Sequence, residues 1–201
     1  MRRTVWVGVA LLVAALLVGC AKPPQAEIDA AKNALSTAAA SEDVKTYAPE
    51  SLSSAREAAS ALEAEVTIQD EKFALTRKYD RAKQLAADAQ AAAQRAVADA
   101  QAAKERARNE ASQLIADVRQ AVADVKGMLD SMPKGKGTAA DIAAIRSDVD
   151  GAESALTMAD STFAEGDFLD AKAQAEAVMA TAQRTRADIE QAIEMSKSKR
   201  R

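Results

Sequence analysis

Apolar side chains recur at alternating steps of three and four residues through the middle of this chain, which is the heptad spacing of a coiled-coil helix. The first line consists of Leu75, Tyr79, Ala82, Ala86, Ala89, Ala93, Ala96, Ala100, Ala103 and Ala107. After one extra step of four, which locally unwinds a supercoil, it continues through Ala111, Leu114, Val118, Ala121, Val125 and Met128. The spacing predicts one helix from about Asp70 or Glu71 to about Asp130. At roughly 1.5 Å per residue it would span about 90 Å.

Alanine fills the first half of this line, which allows another helix to approach closely but buries little apolar area per residue. We therefore expect marginal stability. The shorter helices before it can cover only part of its length. The remainder must pack against later helices of the chain or against another chain.

Strong helix formers dominate the rest of the chain, and four further helices are predicted. Counted along the chain, with the long helix as the third, the first covers residues 26–40 and ends at a break formed by residues 41–48. The second begins at Pro49, which suits a first helical turn, and ends near Thr67. The fourth is capped by Thr138 or Asp141 and ends near Glu165. The fifth is capped by Asp167 and ends near Met195.

The last two helices have matching apolar lines, so we expect them to form an antiparallel hairpin across Gly166-Asp167. The fourth carries Ile142, Ile145, Val149, Ala152, Leu156, Ala159 and Phe163, and the fifth carries Phe168, Ala171, Ala175, Val178, Ala182, Thr185, Ile189 and Ala192. The predicted fold class is all-α: long antiparallel helical hairpins in a coiled-coil-like bundle with an Ala-rich heptad seam.

Breaks in these patterns divide the chain into six segments. They are a leader at 1–19, a linker at 20–25, a helical hairpin region with the long helix at 26–131, a linker at 132–140, a second helical hairpin at 141–195 and a basic tail at 196–201.

The leader has the pattern of a secretory signal peptide: two arginines, a short apolar run and a small residue, Gly19, before the single cysteine, Cys20. The apolar run of about 16 residues is shorter than the roughly 20 that a membrane-spanning helix needs. The ending Leu17-Val18-Gly19-Cys20 resembles a bacterial lipobox. That resemblance implies cleavage before Cys20, acylation of its thiol and a mature chain outside the cytoplasm.

The residue after Cys20 indicates the membrane in which the lipid anchor would be inserted. It is Ala21 rather than the aspartate that retains many lipoproteins in the inner membrane. The resemblance therefore implies the periplasmic face of an outer membrane. In a cell with one membrane it implies the plasma membrane instead.

Composition argues against several classes of function. The chain has no histidine and one cysteine, so the usual ligands of zinc, copper and haem and the usual nucleophile–histidine pairs are missing. Removing Arg2 and Arg3 with the leader changes the formal net charge from −3 to −5, which does not favour nucleic acid. We expect no cofactor, no metal site, no catalytic residues and no nucleic-acid partner.

Two stretches resemble known families. Tyr47-Ala48-Pro49-Glu50-Ser51-Leu52, followed by Tyr79-Asp80-Arg81-Ala82-Lys83-Gln84-Leu85-Ala86, resembles an uncharacterised family of Ala-rich helical bacterial lipoproteins. Some of its members carry a peptidoglycan-binding domain of the outer-membrane protein A type, and the resemblance implies no catalytic residues. The stretch Glu165-Gly166-Asp167-Phe168-Leu169-Asp170-Ala171 resembles the turn of a tetratricopeptide-type hairpin, which indicates hairpin geometry alone.

These observations favour a lipid-anchored, non-enzymatic helical scaffold or spacer in the periplasm, held by the lipid on Cys20. Its partners would be peptidoglycan, another envelope protein or a second copy of itself. The alternatives are an accessory lipoprotein that binds peptidoglycan or regulates a wall-modifying enzyme, a small-ligand carrier, and a carbohydrate-active hydrolase.

The hydrolase would use paired carboxylates, either Glu63 with Glu65 or Asp148 with Asp150, although residues two apart on a helix do not face each other. The basic tail, with four cations in the last five residues, is a candidate contact for anionic lipid or wall polymer.

Overall fold

The computed structural model describes residues 22–132 and 139–198, and within these ranges the chain is all-α, as predicted, with no strand. Its helices are α1 (Gln25–Ala40), α2 (Glu42–Tyr47), α3 (Pro49–Asp70), α4 (Asp80–Asp130), α5 (Ala139–Glu165) and α6 (Phe168–Ser198). A short 3-10 turn, Ala74–Thr76, lies between α3 and α4. None of the helices in the described part of the chain is long and apolar enough to cross a membrane.

The chain divides into two compact units inside α4, between Ala102 and Ala103. The sequence places its boundary later, at the linker of residues 132–140. Met132, at the start of that linker, is 6% exposed and packs in the core of the second unit. The composition break at residues 132–140 therefore marks the end of α4, whereas the two compact units meet within α4, between Ala102 and Ala103.

In the first unit, α3 runs antiparallel to both α1 and the beginning of α4, which are therefore parallel to each other. Lys32 on α1 forms an ion pair of 3.7 Å with Glu63 on α3. The Ser51 hydroxyl on α3 donates a hydrogen bond of 2.7 Å to Asp99 on α4. The core has two clusters, one of Ile28, Ala31, Leu62, Tyr79, Ala82, Ala86 and Ala89, the other of Ala38, Val44, Ala48, Leu52, Ala55, Ala93, Ala96 and Ala100.

The alanine seam of the first unit is therefore covered by helices of its own chain. From Ala82 to Ala100 the predicted seam positions are at most 1% exposed. Alanine is small enough for α1 and α3 to approach α4 closely. A second copy of the chain would have to bind to another surface.

The segment between α1 and α3 contains a short helix that the sequence interpretation treated only as a break. Ser41 caps α2, since its hydroxyl accepts a hydrogen bond of 3.4 Å from the amide of Val44. The interruption itself is confirmed, because α1 ends at Ala40 and Pro49 is the first residue of α3.

The predicted start of the long helix is wrong by about ten residues. The helix begins at Asp80 instead of Asp70 or Glu71, and it ends at Asp130 as predicted. Leu75, the first predicted member of the apolar line, lies in the 3-10 turn and is 74% exposed. The cause is a set of hydrogen bonds that folds residues 71–79 back onto the end of α3.

The second unit contains the predicted antiparallel hairpin of α5 and α6. Gly166 adopts φ +91°, a left-handed conformation that favours glycine. The Asp167 carboxylate accepts a hydrogen bond of 3.3 Å from the amide of Asp170 and so caps α6, as predicted. The predicted apolar lines of both helices face the core, with Ile142, Phe163 and Phe168 half-buried at the ends.

The remainder of α4 packs against this hairpin through a stripe wider than the predicted line. Val118 and Val125 are buried as predicted, whereas Leu114, Ala121 and Met128 are only half-buried. Their neighbours Ile115, Val122 and Leu129 are the buried residues instead. A helix that packs against two others needs a broad apolar face rather than a two-position seam.

Ion pairs connect α4 to both helices of the hairpin. Lys126 contacts Glu153 at 2.6 Å and Arg119 contacts Asp160 at 2.9 Å, both on α5. Lys172 on α6 contacts Glu110 at 2.6 Å. These pairs lie at the exposed edges of the apolar contact.

Two predicted helix ends need correction. Helix α5 begins at Ala139, so Asp141 lies inside its first turn and is not the cap; Thr138 lies outside the described residues. Helix α6 continues to Ser198, past the predicted end at Met195, and its last turns include an ion pair of 2.9 Å between Glu194 and Lys197. Part of the predicted basic tail is therefore helical, and residues 199–201 lie outside the described part.

Candidate functional site

The predicted lipidation residue, Cys20, lies outside the described residues, so the structure places the start of α1 rather than the cysteine itself. The described chain starts at Lys22, and Pro24 is buried. The carbonyl of Pro24 accepts a hydrogen bond of 3.0 Å from the amide of Ile28 in the first turn of α1. Helix α1 thus begins five residues after Cys20.

The connection between α3 and α4, residues 71–79, is held to the end of α3 by several hydrogen bonds, and we call it the hairpin tip. Arg77 stabilises its backbone. The guanidinium donates hydrogen bonds of 2.7 Å to the carbonyl of Asp70 and 3.0 Å to that of Lys72. Carbonyls at the end of a helix have no partner within the helix, so Arg77 satisfies the end of α3.

Gln69 provides a second connection between α3 and the tip. This side chain is 5% exposed, and its carbonyl accepts a hydrogen bond of 3.1 Å from the amide of Lys78. Its amide donates one of 2.7 Å to Glu65 on the preceding turn. A buried polar group needs such partners, and these fix the end of the tip against α3.

Tyr79 joins the hairpin tip to the core. Its ring packs with Ile28 and Leu62, while its hydroxyl donates a hydrogen bond of 2.5 Å to Asp70. That hydrogen bond, with burial and the negative charge of Asp70, raises the pKa of Tyr79 above its ordinary value. The hydroxyl therefore stays protonated and remains a donor through the neutral range.

The hairpin tip presents apolar side chains to solvent even though its backbone is held in place. Phe73 is 72% exposed and Leu75 is 74% exposed, and Ile68 on the last turns of α3 is 50% exposed. The other large apolar side chains exposed in the described part are Met158, Leu169 and Met195, which are scattered through the second unit. Half of the exposed large apolar side chains therefore lie within eight residues of the chain.

The same part of the first unit contains the beginning of α1. Ile28, in the first turn of α1, belongs to the cluster that contains Tyr79, the last residue of the tip. The opposite end of the unit contains α2, where Val44 packs with Ala100 and its neighbours. The start of α1 and the hairpin tip thus lie at one end of the first unit.

The paired carboxylates do not converge on a common site. Glu63 is exposed and pairs with Lys32, whereas Glu65 is mostly buried between Gln69 and Arg81, the latter at 3.6 Å. Asp148 and Asp150 are both exposed on α5. Asp148 borders a groove between α5 and α6, and Asp150 does not.

This groove between α5 and α6 is shallow and has a volume of about 350 Å³. Its walls are formed by Gly151, Ala155 and Met158 on one side and by Gln174, Ala177 and Thr181 on the other, with Ser147, Asp148, Ala152 and Val178 completing the lining. Its side chains are mostly small. In residues 22–132 and 139–198, no group of three metal-ligating side chains comes together.

The heptad spacing assigns residues 71–79 to the long helix and therefore does not reveal the hairpin tip. The usable signal was the apolar pair Phe73 and Leu75 among charged residues just before Tyr79. The roles of Gln69 and Arg77 depend on contacts across the turn and have no periodic signature.

No protein-family model matches the chain, and no curated protein or solved structure is significantly similar to it. The likeness to Ala-rich helical lipoproteins therefore remains a prediction from sequence.

Proposed function

We propose that this chain is a lipid-anchored, non-enzymatic protein of the bacterial cell envelope that acts as a helical scaffold or spacer. The observation that carries the proposal is the Leu17-Val18-Gly19-Cys20 motif at the end of a short apolar run that comes after two arginines. The lipids on Cys20 hold the mature chain on the periplasmic face of the outer membrane, or on the plasma membrane of a cell with one membrane. Stable attachment needs more than one acyl chain, and lipoproteins carry two or three.

The arrangement of the described residues is consistent with a spacer. A helix of 51 residues, α4, contributes to both compact units, and its apolar face is covered by other helices of the chain. Such a chain has a defined folded form without a partner.

The alternative of a hydrolase receives no support from its own candidate residues. Glu63 and Glu65 contact different partners, and Asp148 and Asp150 are exposed on one helix. A general acid and a general base must both reach one substrate bond, and the groove between α5 and α6 is bordered by Asp148 but not by Asp150.

The partner of the scaffold is a second part of the proposal. We expect another envelope protein or peptidoglycan, bound through exposed helix faces, or an accessory role beside a wall-modifying enzyme. Crosslinking in intact cells, followed by purification from membranes, identifies which of these the chain contacts.

Labelling with a fatty acid tests the anchor. Cells expressing the full chain or its Cys20→Ala variant are grown with labelled palmitate, and the membrane and soluble fractions are compared. We expect label on the full chain and none on the variant, which should remain a precursor that retains Trp6. An unlabelled wild-type chain would contradict the proposal.

A further inference from the structure

We propose that the hairpin tip is a second membrane contact, in which Phe73 and Leu75 insert into the anionic lipid surface that holds Cys20. This inference rests on the proposed lipid anchor and adds the orientation of the first unit to it. The side chains of Phe73 and Leu75 are about three-quarters exposed on a backbone that Arg77 and Gln69 hold in place. A turn whose backbone is already held in place has little backbone freedom left to lose when its side chains insert.

Distance along the chain makes this contact possible. Gln25 lies five residues after Cys20, and an extended chain covers at most about 3.6 Å per residue, or about 18 Å over these five steps. Ile28, in the first turn of α1, belongs to the same buried apolar cluster as Tyr79, at the end of the tip. A lipid on Cys20 therefore keeps this end of the first unit within a short distance of the bilayer.

Charge at the tip favours an anionic surface. Residues 71–79 contain three cations, Lys72, Arg77 and Lys78, and one anion, Glu71, which gives a net charge of +2 in a chain whose total is −3. Lys72 and Lys78 are exposed on either side of the apolar pair. Cations close to an acidic lipid surface attract it, and aromatic and aliphatic side chains enter the headgroup region.

Tryptophan fluorescence tests the contact, because Trp6 is the only tryptophan of the chain. The full chain is expressed with Trp6→Phe and Phe73→Trp, so that the reporter at the tip is the sole tryptophan whether or not the leader is removed. The matched control carries Trp6→Phe and Thr46→Trp, which places the reporter at an exposed position of α2, at the opposite end of the same unit. Both positions are exposed, so neither substitution disturbs the core.

The two proteins are purified from membranes and reconstituted into vesicles of phosphatidylethanolamine and phosphatidylglycerol that contain a brominated phospholipid quencher. We expect a blue shift and several-fold stronger quenching for the Phe73→Trp reporter than for the Thr46→Trp reporter. Equal quenching overturns the proposal. A blue shift without quenching by brominated lipid also overturns it, because the tip is then buried against protein.

Two further comparisons test the contribution of charge. In these vesicles, adding Lys72→Glu and Lys78→Glu to the Phe73→Trp protein should reduce quenching of the reporter. Without the lysine substitutions, replacing the lipids by phosphatidylcholine alone should reduce quenching to the same extent. Quenching that is independent of both changes overturns the assignment to an anionic surface.

The mass of the purified chain separates failure of this inference from failure of the proposed function. A chain with lipid on Cys20 and an unquenched tip reporter refutes the contact and leaves the anchor intact. If Cys20 carries no lipid, the proposed function fails. The contact is then measured after coupling that thiol to a maleimide phospholipid, and an unquenched reporter overturns it there too.

Discussion

The hydroxyl of Tyr79 donates a hydrogen bond of 2.5 Å to the carboxylate of Asp70, the last residue of α3, while the tyrosine ring is buried in the apolar core. One side chain thus fills the end of the first unit and connects the tip to the end of α3. This contact lies immediately before α4, which begins at Asp80.

The rigidity of the hairpin tip depends on Arg77. We expect Arg77→Ala to free the carbonyls of Asp70 and Lys72 and to speed amide hydrogen exchange in residues 71–79 with little change in the melting temperature of the chain. Arg95→Ala, at an exposed position on α4, is the control and should leave exchange at the tip unchanged. Equal exchange at the tip in both variants would show that Arg77 does not hold it.

The alanine seam should tolerate no added bulk. Ala93 and Ala100 are at most 1% exposed and pack against Leu52 and Ala55 of α3 and their neighbours. We expect Ala93→Leu or Ala100→Leu to lower the free energy of unfolding by about 1–3 kcal/mol, because overpacking a close helix contact forces the backbones apart.

The control for the seam is Ala98→Leu on the exposed face of α4, where alanine and leucine have similar helix propensities. Chemical denaturation followed by circular dichroism, at several protein concentrations, measures all three variants. Equal stabilities would mean that the seam of the first unit is not closely packed.

Replacing glycine by alanine should stabilise the chain at Gly127 and destabilise it at Gly166. An added methyl group meets nothing within 4 Å at Gly127 or at Gly166, so backbone conformation decides the outcome. Gly127→Ala, inside α4, should stabilise the chain by up to about 1 kcal/mol. Gly166→Ala, at φ +91°, should destabilise it by about 1–2 kcal/mol. Thermal unfolding of both variants checks this, and a stabilising Gly166→Ala would contradict the turn geometry.

The ion pair between Glu110 and Lys172 should make stability depend on pH. The hydrogen bond from Lys172 lowers the pKa of Glu110 below its ordinary 4.5, and the same bond raises the pKa of Lys172 above 10.5. The contribution of Glu110 is present above pH 4.5 and is lost as the pH falls through its lowered pKa. That of Lys172 is present below pH 10.5 and is lost as the pH rises through its raised pKa.

Glu110→Gln should therefore be less stable than the unmodified chain by a margin that is widest between about pH 5 and 10 and disappears in stronger acid. Glu57→Gln, at an exposed position on α3, is the matched control for the loss of a surface carboxylate. Denaturant titrations from strong acid to about pH 10 measure the margin, and a margin that persists in strong acid would exclude the pair as its source.

Most of the helical architecture was predictable from periodicity, because the apolar lines of α4, α5 and α6 repeat over many turns. The hairpin turn was also predictable, since Gly166 and Asp167 satisfy local backbone needs. The start of α4 was not, because Gln69, Arg77 and Tyr79 act across the turn and residues 71–79 have ordinary helix propensity. Ile115 and Val122 are buried in place of the predicted Leu114 and Ala121, because α4 packs against two helices in the second unit. A single heptad line does not show how many helices pack against it.

The intact mass of the chain purified from cell membranes tests the lipid anchor. We expect a polypeptide that begins at residue 20, lacks Trp6 and is heavier than its sequence by a diacylglyceryl group and, in a triacylated form, one further acyl chain. Digestion should place the added mass on the peptide that contains Cys20. A chain that begins before residue 20, or one that begins there without added mass, would show that Cys20 is not the lipid anchor.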